Sequence, residues 1–142
     1  MTFRTGSPVI CRITKLDSPL TNVKRIDIDD PDVYMDDGET LFYQGRLFSG
    51  EAVEYQGDSL VTLNTYKEGV GDGPVKEWYA DGTPRSQGIM RGGFPVGEFK
   101  SWHPNGKLAR KMIMSANGLR QLAMTEWDEF GNLTDEWHAE HP

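Results

Sequence analysis

Cysteine is nearly missing from this 142-residue chain: Cys11 stands alone. One thiol closes no internal disulfide, so packing and hydrogen bonds must hold the fold, and nothing argues for an oxidising compartment. Long apolar runs are missing too, and no stretch approaches the roughly 18 residues that span a bilayer as a helix. The opening residues, Met1-Thr2-Phe3-Arg4-Thr5-Gly6, lack the charged-then-apolar plan of a secretory signal. A cytoplasmic protein is the expectation. Basic charge is in deficit, with 15 Lys and Arg against 22 Asp and Glu, a formal net charge of -7. A phosphate-binding surface needs a positive field, so nucleic acid is not an expected partner. The chain also lacks a basic amphipathic segment, which argues against a membrane partner.

Catalytic constellations are missing as well. Cys11 could act as a thiolate beside a histidine, but the histidines are His103, His138 and His141. His103 sits in a turn sequence and the other two close the chain, so Cys11 reads as a strand residue. Ser59 and Ser101 lack the Gly-x-Ser-x-Gly elbow. Gly69-Val70-Gly71-Asp72-Gly73 lacks the Gly-Lys-Ser/Thr ending of a phosphate loop and precedes a strand, so its glycines read as connectors. His138 and His141 alone make a weak metal pair. An EF-hand needs glycine at its sixth position and acids or amides at alternating ones. Counting from Asp27, the sixth residue is Asp32; counting from Asp32, the third is Tyr34. No enzyme, no cofactor and no metal site is expected.

What is present in quantity is glycine and aromatics, and they recur. Tyr55, Trp78, Trp102 and Trp127 are spaced by 23, 24 and 25 residues. Gly50, Gly73 and Gly97 stand five before the first three, and Leu122 breaks the rule in the fourth. Turn sequences follow the tryptophans: Ala80-Asp81-Gly82-Thr83, Pro104-Asn105-Gly106-Lys107 and Glu129-Phe130-Gly131-Asn132. Asp-Gly and Asn-Gly predict two-residue hairpins of type I′, whose central positions both need positive φ. Second strands follow over 60–66, 84–90, 108–114 and 133–137. Thr40 to Gly45 reads as the second strand of a degenerate earlier unit. Upstream, Val9 to Ile13 and Val23 to Asp29 read as short strands.

A lone hairpin is marginal in water. Stacked hairpins would cover one another's aromatics and build a continuous core. The tryptophans are therefore expected inside, with Tyr79 and His103 pointing to the opposite face as contact residues.

Gly97-Glu98-Phe99-Lys100-Ser101-Trp102-His103-Pro104-Asn105-Gly106-Lys107-Leu108 resembles the MORN-repeat variant, and Gly73 to Gly82 is similar to the same pattern. The resemblance covers residues 40–137. It implies an all-β fold of serial β-hairpin repeats forming an elongated twisted antiparallel sheet, with residues 1–39 as a non-repetitive N-terminal cap and 40–142 as repeats. It also implies a function. Small acidic chains built from this variant resemble YwqK-like antitoxins, immunity proteins that bind a cognate bacterial toxin. The alternative is a non-catalytic protein-interaction scaffold.

Charge asymmetry suggests where a basic toxin, such as a nuclease, would bind. Residues 26–58 hold ten acids against one base, Arg46. Asp27, Asp29, Asp30, Asp32, Asp36, Asp37, Glu39 and Glu54, with Tyr79 and His103, are the expected partner-binding residues. Carboxylates facing Lys and Arg raise the association rate and fix orientation.

Overall fold

The computed structural model describes residues 24–140. The expected strand at 9–13 and the residues Cys11 and His141 lie outside that range.

Within it the repeat is realised strand by strand. Each first strand ends on its marker aromatic or one residue past it: β5 (Gly50–Gln56) passes Tyr55 by one residue, and β7 (Val70–Trp78), β9 (Phe94–Trp102) and β11 (Gln121–Trp127) close on tryptophan. The second strands are β6 (Ser59–Lys67), β8 (Pro84–Arg91), β10 (Leu108–Met114) and β12 (Leu133–His138). These eight pair in sequence order as an antiparallel run. β1 (Arg25–Asp27) adds to the first edge by pairing in parallel with β5, so the sheet is antiparallel except at that margin. No described residue is helical.

Each hairpin carries one extra residue at the same place. The pairing skips Val61, Arg85, Ala109 and Thr134, just inside the second strand. A bulge of this kind bends the strand and increases twist. Its regular recurrence makes the curvature periodic.

The turns correct one expectation. The Asp-Gly and Asn-Gly sequences form three-residue loops, not type I′ turns. Tyr79 N–H donates to the Thr83 carbonyl while Gly82 N–H donates to the Tyr79 carbonyl, and His103 with Lys107 and Gly106, and Asp128 with Asn132 and Gly131, repeat the pattern. Gly82 has φ of 93°, and Asp81 is not among the positive-φ residues. This is a type I turn closed by a left-handed glycine. Pro104 shows why: its fixed φ near −65° suits the first central position of a type I turn, and it lacks the N–H that a residue flanking a two-residue turn would donate. The I′ geometry appears instead at the opposite edge, where Glu68 (φ 49°) and Gly69 (φ 83°) join β6 to β7.

Residues 40–45 also depart from expectation. β3 (Leu41–Tyr43) is not part of the long sheet. It pairs between β2 (Val33–Met35) and β4 (Arg46–Leu47) in a separate three-stranded sheet. Backbone bonds clamp this small sheet to the β6–β7 turn, from Leu41 N–H to the Gly69 carbonyl and from Gly69 N–H to that of Phe48.

The core sits where the two sheets meet. Ile26, Leu41, Phe48 and Ala52 form one buried cluster, with Ile28, Val33, Tyr43 and Tyr66 packed against it. The continuous core expected along the repeats is not there. Trp78, Trp102 and Trp127 are half-buried, and Trp137 is 45% exposed. From β7 onward no described element lies over the sheet, so each aromatic is shielded only by its neighbours in the same layer.

Candidate functional site

Register and pleat assign each strand residue to one of two faces. Take the row through the middle of the sheet. Ile26 pairs with Ala52, Ala52 with Asn64, Asn64 with Val75, and Val75 with Gly88. Phe99 lies over Gly88, since a Cβ on that glycine would sit 2.3 Å from the ring. Phe99 then pairs with Met112, Met112 with Met124, and Met124 with Trp137. This face is almost wholly apolar along that line. The small sheet covers its first two members, and the stretch from Val75 to Trp137 is open.

A polar row runs parallel on the same face, two residues further along each strand. Its members are Glu54, Thr62, Glu77, Ser86, Ser101, Arg110, Glu126 and Asp135. The single base is committed: Arg110 Nε donates to Glu126 at 2.8 Å. Ser86 Oγ donates to Glu77 at 2.8 Å. The net sign of the row is negative.

The opposite face alternates with this one and differs in character. It carries Tyr55, Trp78, Trp102 and Trp127, and beside them Lys76, Gln87, Lys100 and Lys111. Glu98 takes both Lys100 and Lys111 as ion partners, at 3.4 and 3.3 Å. Burial opposes ionisation of Glu98, but the two lysines outweigh it and hold its pKa below the usual carboxylate range.

At the step where the small sheet ends, a cleft of about 320 Å³ opens. Its floor comes from Tyr66, Gly71, Val75 and Met90, and its rim from Glu39 and Thr40. Glu39 holds φ of 62°, a conformation that costs an L residue energy. Burial, then the nearby Glu39 charge, pushes the Tyr66 phenol above its ordinary pKa.

The predicted acids cluster only in part, and several have structural work. Asp27 accepts from Asp29 N–H and Asp30 from Asp32 N–H. Asp36 accepts from both Gly38 and Thr40 N–H groups. Asp32 accepts from the Gln44 amide. These are turn-stabilising bonds of the kind Asp favours in loops. Asp29, Asp32, Asp37 and Glu39 remain exposed around the small sheet, and Glu54 is exposed on β5. With Asp30 they leave an acidic end on the molecule. Loss of solvent contact, together with Asp30 and Asp32, raises the Tyr43 pKa. No group of His, Cys, Asp and Glu among the described residues could hold a metal ion.

Tyr79 lines one cleft with Glu54 and Glu77, His103 lies one repeat further along the turn edge, and both bond within the chain. Tyr79 Oη donates to the Trp102 carbonyl at 2.7 Å, and His103 Nε2 lies 2.9 Å from the Trp127 carbonyl. Ser59 Oγ and Asn105 Nδ2 reach the Ala80 and Glu129 carbonyls in the same sense. The ladder ends at Asp128, whose carboxylate accepts from Phe130 and Asn132 N–H groups in its own turn.

Sequence reasoning missed the apolar row. The available signal was the recurrence of Val75, Gly88, Phe99, Met112, Met124 and Trp137 every 11 to 13 residues.

The architecture is that of a hairpin-repeat protein, a single-layer sheet with two chemically distinct faces. Residues 95–114 match the family described as MORN repeat variant. That segment runs from the start of β9 to the end of β10, one complete hairpin. The match fits a repeat-based interaction scaffold. No curated protein and no solved structure matches the chain.

Proposed function

We propose that this chain is a non-catalytic binding module that neutralises a cognate bacterial toxin in the cytoplasm by covering its active site. One observation carries the reading: an open repeat sheet ends in an exposed acidic cap, with Asp29, Asp32, Asp37 and Glu39 exposed to solvent. A toxin that acts on nucleic acid presents lysines and arginines where phosphate binds. Carboxylates that approach the same groups steer association and exclude substrate by occupancy alone. No reacting group is needed on the inhibitor.

The test is to express the product of each gene adjacent to this one, alone and together with this chain, and to score bacterial growth. Rescue by the native chain, lost when Asp29, Asp32 and Asp37 are all changed to Lys, supports the reading. Growth arrest that the native chain does not relieve, with no complex on co-purification, contradicts it.

A further inference from the structure

The open stretch from Val75 to Trp137 begins as core. Its first two row members, Ile26 and Ala52, are sealed by Leu41 of the small sheet and by Phe48, the residue that follows β4. The row then continues past the sheet's end without a cover among the described residues. Val75, Phe99, Met112 and Met124 are half-buried, and Trp137 is exposed. Met90 and Met114 widen the apolar strip on its other side.

From β7 to β12 are five strand spacings of about 4.8 Å, so the strip is about 24 Å long. At 1.5 Å per residue that is the length of an α-helix of roughly 16 residues. A helix laid across strands meets one row of side chains, and this row is apolar. The acidic row runs alongside at about 7 Å, the distance of two strand residues. It supplies Glu77, Glu126 and Asp135 against the one base Arg110, which Glu126 already pairs, so one flank carries net negative charge. The other flank, with Met90, Pro95, Met114 and Gln121, is uncharged. The complement is a helix with an apolar face and basic residues along one side. Four methionines in the strip, Met90, Met112, Met114 and Met124, suit it to helix side chains of varied shape.

We propose that this face docks an amphipathic helix of a partner protein, its basic side turned toward Glu77, Glu126 and Asp135. The cleft at Tyr66, Gly71 and Met90 takes the helix end nearest the small sheet. The proposal rests on the binding-module reading and is independent of whether the partner is a toxin. An acidic row repels its own copy, which disfavours a second chain as the occupant.

The probe is a labelled 16-residue Leu/Lys peptide with its lysines along one side, read by fluorescence anisotropy against the full chain. A peptide of the same composition, scrambled to lose its amphipathic pattern, should bind at least tenfold more weakly. Met124→Glu and Trp137→Glu should each weaken the patterned peptide at least tenfold. Trp137 is exposed enough that its substitution spares the fold. Thr125→Glu adds the same charge to the opposite face and should leave affinity within twofold. Equal binding of the two peptides, or equal effects from the two faces, overturns the proposal. So does a dimer of the free chain in sedimentation equilibrium that Trp137→Glu dissociates, because a second copy would then be the occupant. Failure of toxin rescue would leave the peptide result untouched, so the two readings fail separately.

Discussion

Tyr79 and Trp102 are joined by a 2.7 Å hydrogen bond from the phenol to the backbone carbonyl, across one repeat. His103 and Trp127 repeat the relationship at 2.9 Å one unit later. The residues after Trp78 and Trp102 thus each tie their turn to the next hairpin. In a repeat array, stability is a sum of unit and interface terms, and these bonds belong to the interface.

Tyr79→Phe keeps the ring and removes the donor, leaving a partly buried carbonyl short of a partner. The expected cost is about 1 kcal/mol. For a chain of this size that is about 3 °C in thermal midpoint, checked by calorimetry. Toxin affinity should not change, since the side chain faces its own neighbour. A weakened complex with unaltered stability would make Tyr79 a contact residue.

The ends of the sheet should differ in stability. Leu41 is fully buried in the one compact cluster, and every residue of β12 is exposed. Leu41→Ala should cost about 2–5 kcal/mol. Leu133→Ala on β12 should stay within about 0.5 kcal/mol. Native-state hydrogen exchange should show protection declining from β5 and β6 toward β12. Uniform protection along the repeats would mean that the tryptophan row forms a core after all.

Gly88 is pinned by the Phe99 ring, whose nearest atoms would sit 2.3 Å from an added Cβ. Gly88→Ala must displace that ring and should cost about 1–3 kcal/mol. Adding Phe99→Leu should recover part of the loss, giving a coupling energy in a double-mutant cycle. Additive costs would show that the ring moves freely.

Much of the fold is legible in the sequence. Four aromatics at near-equal spacing and glycine-bearing turns locate all eight hairpin strands, because strand pairing in a repeat follows chain order. The turn type was hidden, since Asp-Gly suits both a two-residue turn and a loop that adds Ala80 or Pro104. The position of the core was hidden for another reason. It forms between elements far apart in sequence, such as Ile26 and Leu41, and no period marks it. The candidate sites divide the same way. Acid density points to an acidic end, but whether an aspartate faces solvent or its own loop depends on bonds such as Asp36 to Thr40. The apolar row is obscured because each hairpin's bulge shifts strict alternation.

Acid should loosen the last turn. Asn132 N–H, against some opposition from burial, holds the Asp128 pKa below the ordinary value, with help from the Asn132 side chain and Phe130. A carboxylate with a lowered folded pKa stabilises above its unfolded pKa, near 4, and that contribution disappears as pH falls through the folded value. Asp128→Ala should therefore lower the thermal midpoint at pH 7 and reduce its fall between about pH 4 and pH 2. A variant with an unchanged acid limb would show that the turn does not sense this carboxylate.

The most direct test of the binding-module account is isothermal titration of the chain, at two salt concentrations, with the adjacent-gene product that the growth assay identifies as its toxin. Electrostatic steering and pairing weaken as added salt screens exposed charges. The account predicts a one-to-one complex whose affinity falls at least tenfold between 50 and 300 mM salt, roughly as exposed ion pairs are screened. It predicts a similar loss on changing Asp29, Asp32 and Asp37 to Lys. A complex of unaltered affinity under both changes, or no complex at all, would contradict it.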